Sequence, residues 1–268
     1  MTDATPRADE EVTYGSYLRI DDLLQLQTTR SSPTHPDELL FIVVHQASEL
    51  WFKAILHELD GLVAALERRS AGDALWHVGR VNALMRIVSA QLAALDTLPP
   101  QRFAQFRGYL GSSSGSQSAQ FRAIEAASGL RDEHFMHVIH SHGPLLPVVQ
   151  RALERPTLQE LFVRLLDAEG VALDELYVGP GPTTLFFLAE GLLEYEQQFG
   201  LWRFKHVQLV ERIIGPGTAG TGGTLGARYL QRTVNQRFFP VLWEVRSRLF
   251  GSAPPSAGAS PSAARGTP

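Results

Sequence analysis

A chain of 268 residues with 44% hydrophobic side chains is long enough to bury the core of one large domain or two small ones. A net charge of −4 argues against an electrostatic nucleic-acid binder, and the complete lack of cysteine removes disulfides, iron–sulfur clusters, sulfur-based zinc sites and cysteine nucleophiles. No run of about 18 apolar residues is present, and the opening MTDATPRADEEVTYG is polar and acidic, unlike a secretory signal. The expectation is a cytoplasmic chain that contacts neither membrane nor nucleic acid.

Residues 1–13 read as a mobile N-terminus. From Ser16, Tyr17, Ile20, Leu23, Leu24 and Gln27 fall at helical spacing, with Tyr14 and Tyr17 at the start of a segment too short to fold alone. These two aromatics therefore pack on their own core or reach into a neighbour. After a loop, the spacing predicts a long helix over 36–68. Phe41, His45, Ser48, Phe52, Ile55, Leu59, Leu62 and Leu66 alternate by four and three along it. His45 and Ser48 are the polar members of this stripe. Polar groups on a buried face need either structural partners or a ligand cavity to point into.

A second helix is predicted over 73–95, ended by Pro99 and Pro100. Phe103, Phe106 and Arg107 precede a glycine–serine loop at 111–118, a grouping suited to holding a carboxylate against an apolar pocket. Residues 117–127 read as another helix. The run HFMHVIHSH at 134–142 invites a metal reading, but no acidic partner stands at the usual spacing, and His57-Glu58 lacks the second histidine of a zinc-protease motif. Shorter helices are expected at 148–154 and 157–169, followed by a turn at 179–182.

The chain is organised around 183–226. A helix is predicted over 183–214, with a possible irregularity at Gly191 or Gly200. Tyr195, Phe199, Trp202, Leu209, Val210 and Ile213 share one face, and His206 sits on that stripe one turn beyond Trp202. Arg203, Lys205, Gln208, Glu211 and Arg212 fall mostly on the other side. A neutral imidazole in an aromatic wall suits an axial ligand to haem iron, and equally a core histidine bonded to a carbonyl. Six glycines follow between Gly215 and Gly226. The match of 215–220 to a dinucleotide fingerprint is rejected because it follows a helix, not a strand. Further helices are read at 225–235 and 238–250. The chain ends in a Pro/Ser/Ala-rich tail, 251–268, expected to be disordered. Every periodic segment is helical. The fold class is therefore all-α, a large bundle of long antiparallel helices forming a single domain over 14–250.

Five segments together resemble the tryptophan 2,3-dioxygenase family of haem enzymes. They are YGSYLRIDDLLQLQ, DELLFIVVHQASELWFK, FRGYLGSSSGSQSAQFR, LWRFKHVQLVERIIG with GTGGTLGARYLQ, and RFFPVLWEVRS. The resemblance implies a bundle enclosing one haem b per subunit, with His206 as the proximal iron ligand and Trp202 and Ser114 beside the haem. His45 accepts a hydrogen bond from the indole N–H, and Phe41, Ile42, Val43, Val44 and Phe103 line the same pocket. Arg107 pairs with the substrate carboxylate, and Thr221 contacts the amino-acid end. Tyr14 and Tyr17 close the pocket of an adjacent subunit in a homotetramer, a dimer of dimers. The implied reaction joins L-tryptophan and O2 to give N-formyl-L-kynurenine. The alternative is a relative that monooxygenates a substituted tryptophan. The chain departs from the family at Ser116, where phenylalanine is usual, in a shorter stretch between 130 and 199, and in a loop before Thr221 that is one residue longer.

Overall fold

The structure is a computed structural model that describes residues 12–140, 144–179, 181–218 and 233–251. Among these residues every regular element is helical, as the sequence pattern requires. The helices are α1 (Tyr14–Leu18), α2 (Ile20–Leu24), α3 (Glu38–Glu67), α4 (Ala71–Gln91), α5 (Pro100–Arg107), α6 (Ala119–Ser128), α7 (Glu133–His140), α8 (Pro147–Glu154), α9 (Leu158–Glu169), α10 (Glu175–Val178), α11 (Thr184–Ile214) and α12 (Pro240–Gly251). The expected helices at 225–235 and the tail beyond Gly251 lie outside the described residues, apart from 233–235.

Three long helices, α3, α4 and α11, form the spine. Cross-helix bonds fix their directions. Gln91 reaches Ser48, and His77 reaches Glu58, so α3 and α4 are antiparallel. Asn82 donates to the Gly191 carbonyl and Arg86 pairs with Glu194, so α11 runs parallel to α4 and antiparallel to α3. By composition α3 is long and apolar enough to cross a membrane. Its Phe52, Ile55, Leu59, Leu62 and Leu66 are buried in the bundle, where it packs on α4, α6 and α9, while only 17% of its most apolar stretch is buried.

Several boundaries differ from the sequence reading for identifiable reasons. The first helix is split in two at Arg19, which adopts a left-handed conformation (φ 50°), and Thr13 is its cap. The second long helix tightens into a 3-10 segment over Leu92–Thr97. Helix α11 is continuous through Gly191 and Gly200. At Gly191 the glycine serves close packing: a Cβ there would lie 2.9 Å from Val78 Cγ1 on α4.

Arg203, expected on the solvent side, is 4% exposed. It bonds Glu125 at 2.7 Å, donates to the Thr233 carbonyl at 2.9 Å and lies over the Phe199 ring. Glu125 is also paired with Arg122, whose Nε–H donates to the Ser116 carbonyl at 3.4 Å. A second buried carboxylate, Glu196, accepts from the backbone N–H groups of Phe238 and Phe239, from Trp243 Nε1 and from Arg237. This bolts the start of α12 to α11.

Candidate active site

The pocket follows from helix directions. The rings of Phe52 on α3 and Trp202 on α11 meet edge to face, with centroids 6.2 Å apart. Going toward the N-terminus of α3 and the C-terminus of α11 leads to the same end of the bundle, because the two are antiparallel. His45 lies seven residues along one helix and His206 four along the other. Eleven residues along each, about 16 Å at the helical rise, are Phe41 and Ile213. There α5 closes the end. Phe103 and Phe106 form a small apolar cluster with Leu98, against which Phe41, Ile213 and Ile214 pack. Phe41 lies 5.6 Å from Phe103 and 5.8 Å from Phe106 between ring centroids. The two histidines therefore stand between two aromatic layers.

Each imidazole is electrostatically defined. His45 Nδ1 is 2.7 Å from the Phe41 carbonyl. A carbonyl only accepts, so Nδ1 carries the proton and Nε2 is left with its lone pair. His45 keeps accessible surface, as a residue lining a cleft does. Burial lowers its pKa, outweighing the bond to Phe41 and the attraction of Glu49. The Phe41 ring packs on the His45 ring at 4.2 Å.

His206 is lowered further, to about 4, by burial first and by its proximity to His45 second. Both rings are neutral at pH 7. His206 Nδ1 is buried and has no hydrogen-bond partner among the described residues, and the same is true of Trp202 Nε1. A neutral imidazole stacked on Trp202, which Phe121, Phe199 and Phe52 surround in turn, has the donor chemistry that haem iron requires. The residues present fit the group.

The other polar member of the α3 stripe is structural. Ser48 donates to the Val44 carbonyl at 2.8 Å and accepts from Gln91 at 2.6 Å. Sequence reasoning missed this pair, and also a clip one turn from His45: Gln120 donates to both the carbonyl and the carboxylate of Glu49, each at 2.8 Å. The clip brings the start of α6, and the glycine–serine loop before it, against α3. Ser114 caps the 3-10 turn of that loop, accepting from the Ser116 backbone N–H at 3.3 Å and from the Ser116 hydroxyl at 3.0 Å. On the other side of α5, Glu38 is buried and fixes the entry to α3. Burial opposes its ionisation, but hydrogen bonds from Ser31 and the Arg30 and Ser31 backbone N–H groups hold its pKa below the usual carboxylate value.

The structure thus brings Phe41, His45, Phe103, Arg107, Trp202 and His206 to one end of the bundle, Arg107 as the last residue of α5 beside Phe106. Ile42 is half-buried, and Val44 faces the core. Val43, two residues from both Phe41 and His45, leaves the opposite side of α3 and is 43% exposed. Tyr14 and Tyr17 are 78% and 77% exposed and do not pack into their own core. Thr221 lies outside the described residues.

A sequence profile of the family described as Tryptophan 2,3-dioxygenase matches residues 2–143 and 168–249. The chain belongs to the tryptophan 2,3-dioxygenase family. Among curated members it is 39% identical to the Tryptophan 2,3-dioxygenase of Herpetosiphon aurantiacus over 264 residues, covering 90% of this chain and 99% of the relative. It is 37% identical to that of Kineococcus radiotolerans over 263 residues, covering 89% and 92%. It is 38% identical to that of Anaeromyxobacter dehalogenans over 271 residues, covering 93% and 100%. Like the family, the chain is an oxidoreductase of the dioxygenase class. The residues that the profile skips, 144–167, form α8 and most of α9, which pack on α6 and α3.

Proposed function

We propose that the chain binds one haem b through His206 and inserts both atoms of O2 across the indole C2–C3 bond of L-tryptophan, giving N-formyl-L-kynurenine. The observation that carries the reading is the pair of neutral imidazoles at one end of α3 and α11, one committed by its Nδ1 proton and the other without a protein partner. The named activity of the relatives agrees with it. Bound haem would supply the oxygen chemistry, which no side chain here can provide.

The protein's own part is to bind, orient and exclude water. Phe41, Phe103 and Phe106 offer ring faces to the indole. His45 Nε2, the free acceptor, takes the indole N–H as a hydrogen bond without needing to remove the proton. Arg107 would pair with the substrate carboxylate through two parallel bonds, which would set where the indole lies. Thr221 would hold the ammonium end, and Ser114 the haem edge. Tyr14 and Tyr17, exposed on their own subunit, would cover the pocket of a neighbour in a homotetramer built as a dimer of dimers. The enzyme is read as cytoplasmic. The test is aerobic turnover of the reduced, haem-loaded protein with L-tryptophan and mass analysis of the product. Gain of two oxygen atoms is the expected result. Gain of one, or turnover only with a substituted tryptophan, rejects it.

A further inference from the structure

Trp202 lies flat on His206. The ring centroids are 5.1 Å apart and the planes differ by 13°. Trp202 is itself held on three sides, by Phe121 at 4.8 Å, Phe52 at 6.2 Å and Phe199 at 6.3 Å, and is 8% exposed. A histidine that binds a metal is ordinarily oriented by its second ring nitrogen, which donates to a carboxylate or carbonyl. His206 Nδ1 is buried and has no such acceptor among the described residues. Arg203, three residues earlier, is occupied by Glu125 and Thr233 and offers no acceptor in any case. Among the described residues nothing polar fixes rotation of the imidazole about its Cβ–Cγ bond.

We propose that Trp202 is the positioning residue for His206: its stacked indole, not a hydrogen bond, sets the plane of the imidazole that faces the iron. The inference rests on His206 being the haem ligand. It has a chemical consequence. With no anionic acceptor on Nδ1 among the described residues, the imidazole would gain no imidazolate character and would be a moderate donor that favours the reduced iron.

The experiment uses the full-length, haem-loaded, reduced protein and reads the iron–histidine stretching band by resonance Raman, together with the rate of haem transfer to an excess of a competing apoprotein. Trp202→Leu and Trp202→Met remove the ring while filling most of the space. Either variant that keeps wild-type helicity should show a shifted or broadened band. Haem loss should be about two- to twelve-fold faster, the range an aromatic pair is worth. Trp202→Phe keeps a ring on the imidazole but loses the N–H, and it decides the matter if the aliphatic variants do not fold: its band should stay at the wild-type position. A wild-type band and rate in an aliphatic variant overturn the proposal. So does a shifted band in Trp202→Phe, which would assign the orientation to the indole N–H. Failure of the underlying reading looks different: His206→Ala would then keep its haem and an unchanged band whatever stands at 202.

Discussion

Two sites on α11 treat their buried polar groups in opposite ways. In the first half, Glu196 is 4% exposed and accepts four hydrogen bonds, two of them from backbone N–H groups that would otherwise be orphaned. Tyr195 beside it shares a 2.6 Å bond with Ser128. In the second half, Trp202 Nε1 and His206 Nδ1 are buried with no partner among the described residues. Burying a polar group without a partner costs on the order of 1–3 kcal/mol. The difference teaches that Glu196, like Arg203 further along the helix, holds the bundle together, whereas the face of Trp202 and His206 is left for something the chain binds.

Four measurements would break or sharpen that contrast. Glu196→Ala removes an acceptor from two backbone N–H groups, Trp243 and Arg237. It should lower unfolding stability by about 3–5 kcal/mol, the cost of breaking a buried charge network. Denaturant titration checks it, and a loss below about 1 kcal/mol would deny Glu196 that structural role. Arg107→Ala should reduce kcat/KM for tryptophan by about 2–5 kcal/mol with unchanged haem content. Arg107→Lys, which keeps the charge but loses the fork, should already raise KM. Tryptamine, which has no carboxylate, separates the roles: if it suffers as much as tryptophan, the arginine does not bind the carboxylate.

His45→Ala should weaken turnover by about 1 kcal/mol, one net hydrogen bond, without abolishing it. Complete loss of activity at normal substrate affinity would instead mean obligate base catalysis. The smallest effect is on pH. Burial lowers the His45 pKa from the ordinary 6.5, so its neutral form persists above that value and is lost only as pH falls through the lowered pKa. Protonation places a hydrogen on Nε2 and removes the acceptor. A profile of kcat/KM should therefore be flat from pH 6.5 to 8 and decline only on the acid side. A decline setting in above pH 6.5 would contradict the neutral state.

Much of this was legible in the sequence because period and position suffice for it. The four–three alternation from Phe41 to Leu66 marked α3 almost to its ends, and the stripe through Trp202 and His206 placed both on the inner face of α11. Arg203 was misplaced because helical phase alone sorts charged residues outward. Its partners, Glu125 and Thr233, are 78 and 30 residues away in the chain, and no local pattern announces them. Glu196 was silent for the same reason. Ser48 and His45 share the same stripe and residue class, yet one is satisfied by Gln91 from α4 and the other opens into the cleft. Only the packing of α4 on α3 tells them apart.

The account turns on His206 and His45 having different duties at the same end of the bundle. The most direct test is haem titration of the wild-type apoprotein and of two variants, His206→Ala and His45→Ala, followed by the absorption spectrum of each. The account predicts one haem per chain with a histidine-ligated spectrum in the wild type and in His45→Ala, and loss of stoichiometric binding in His206→Ala with helical content intact. A full haem complement with an unchanged spectrum in His206→Ala would contradict it, as would loss of haem from His45→Ala alone.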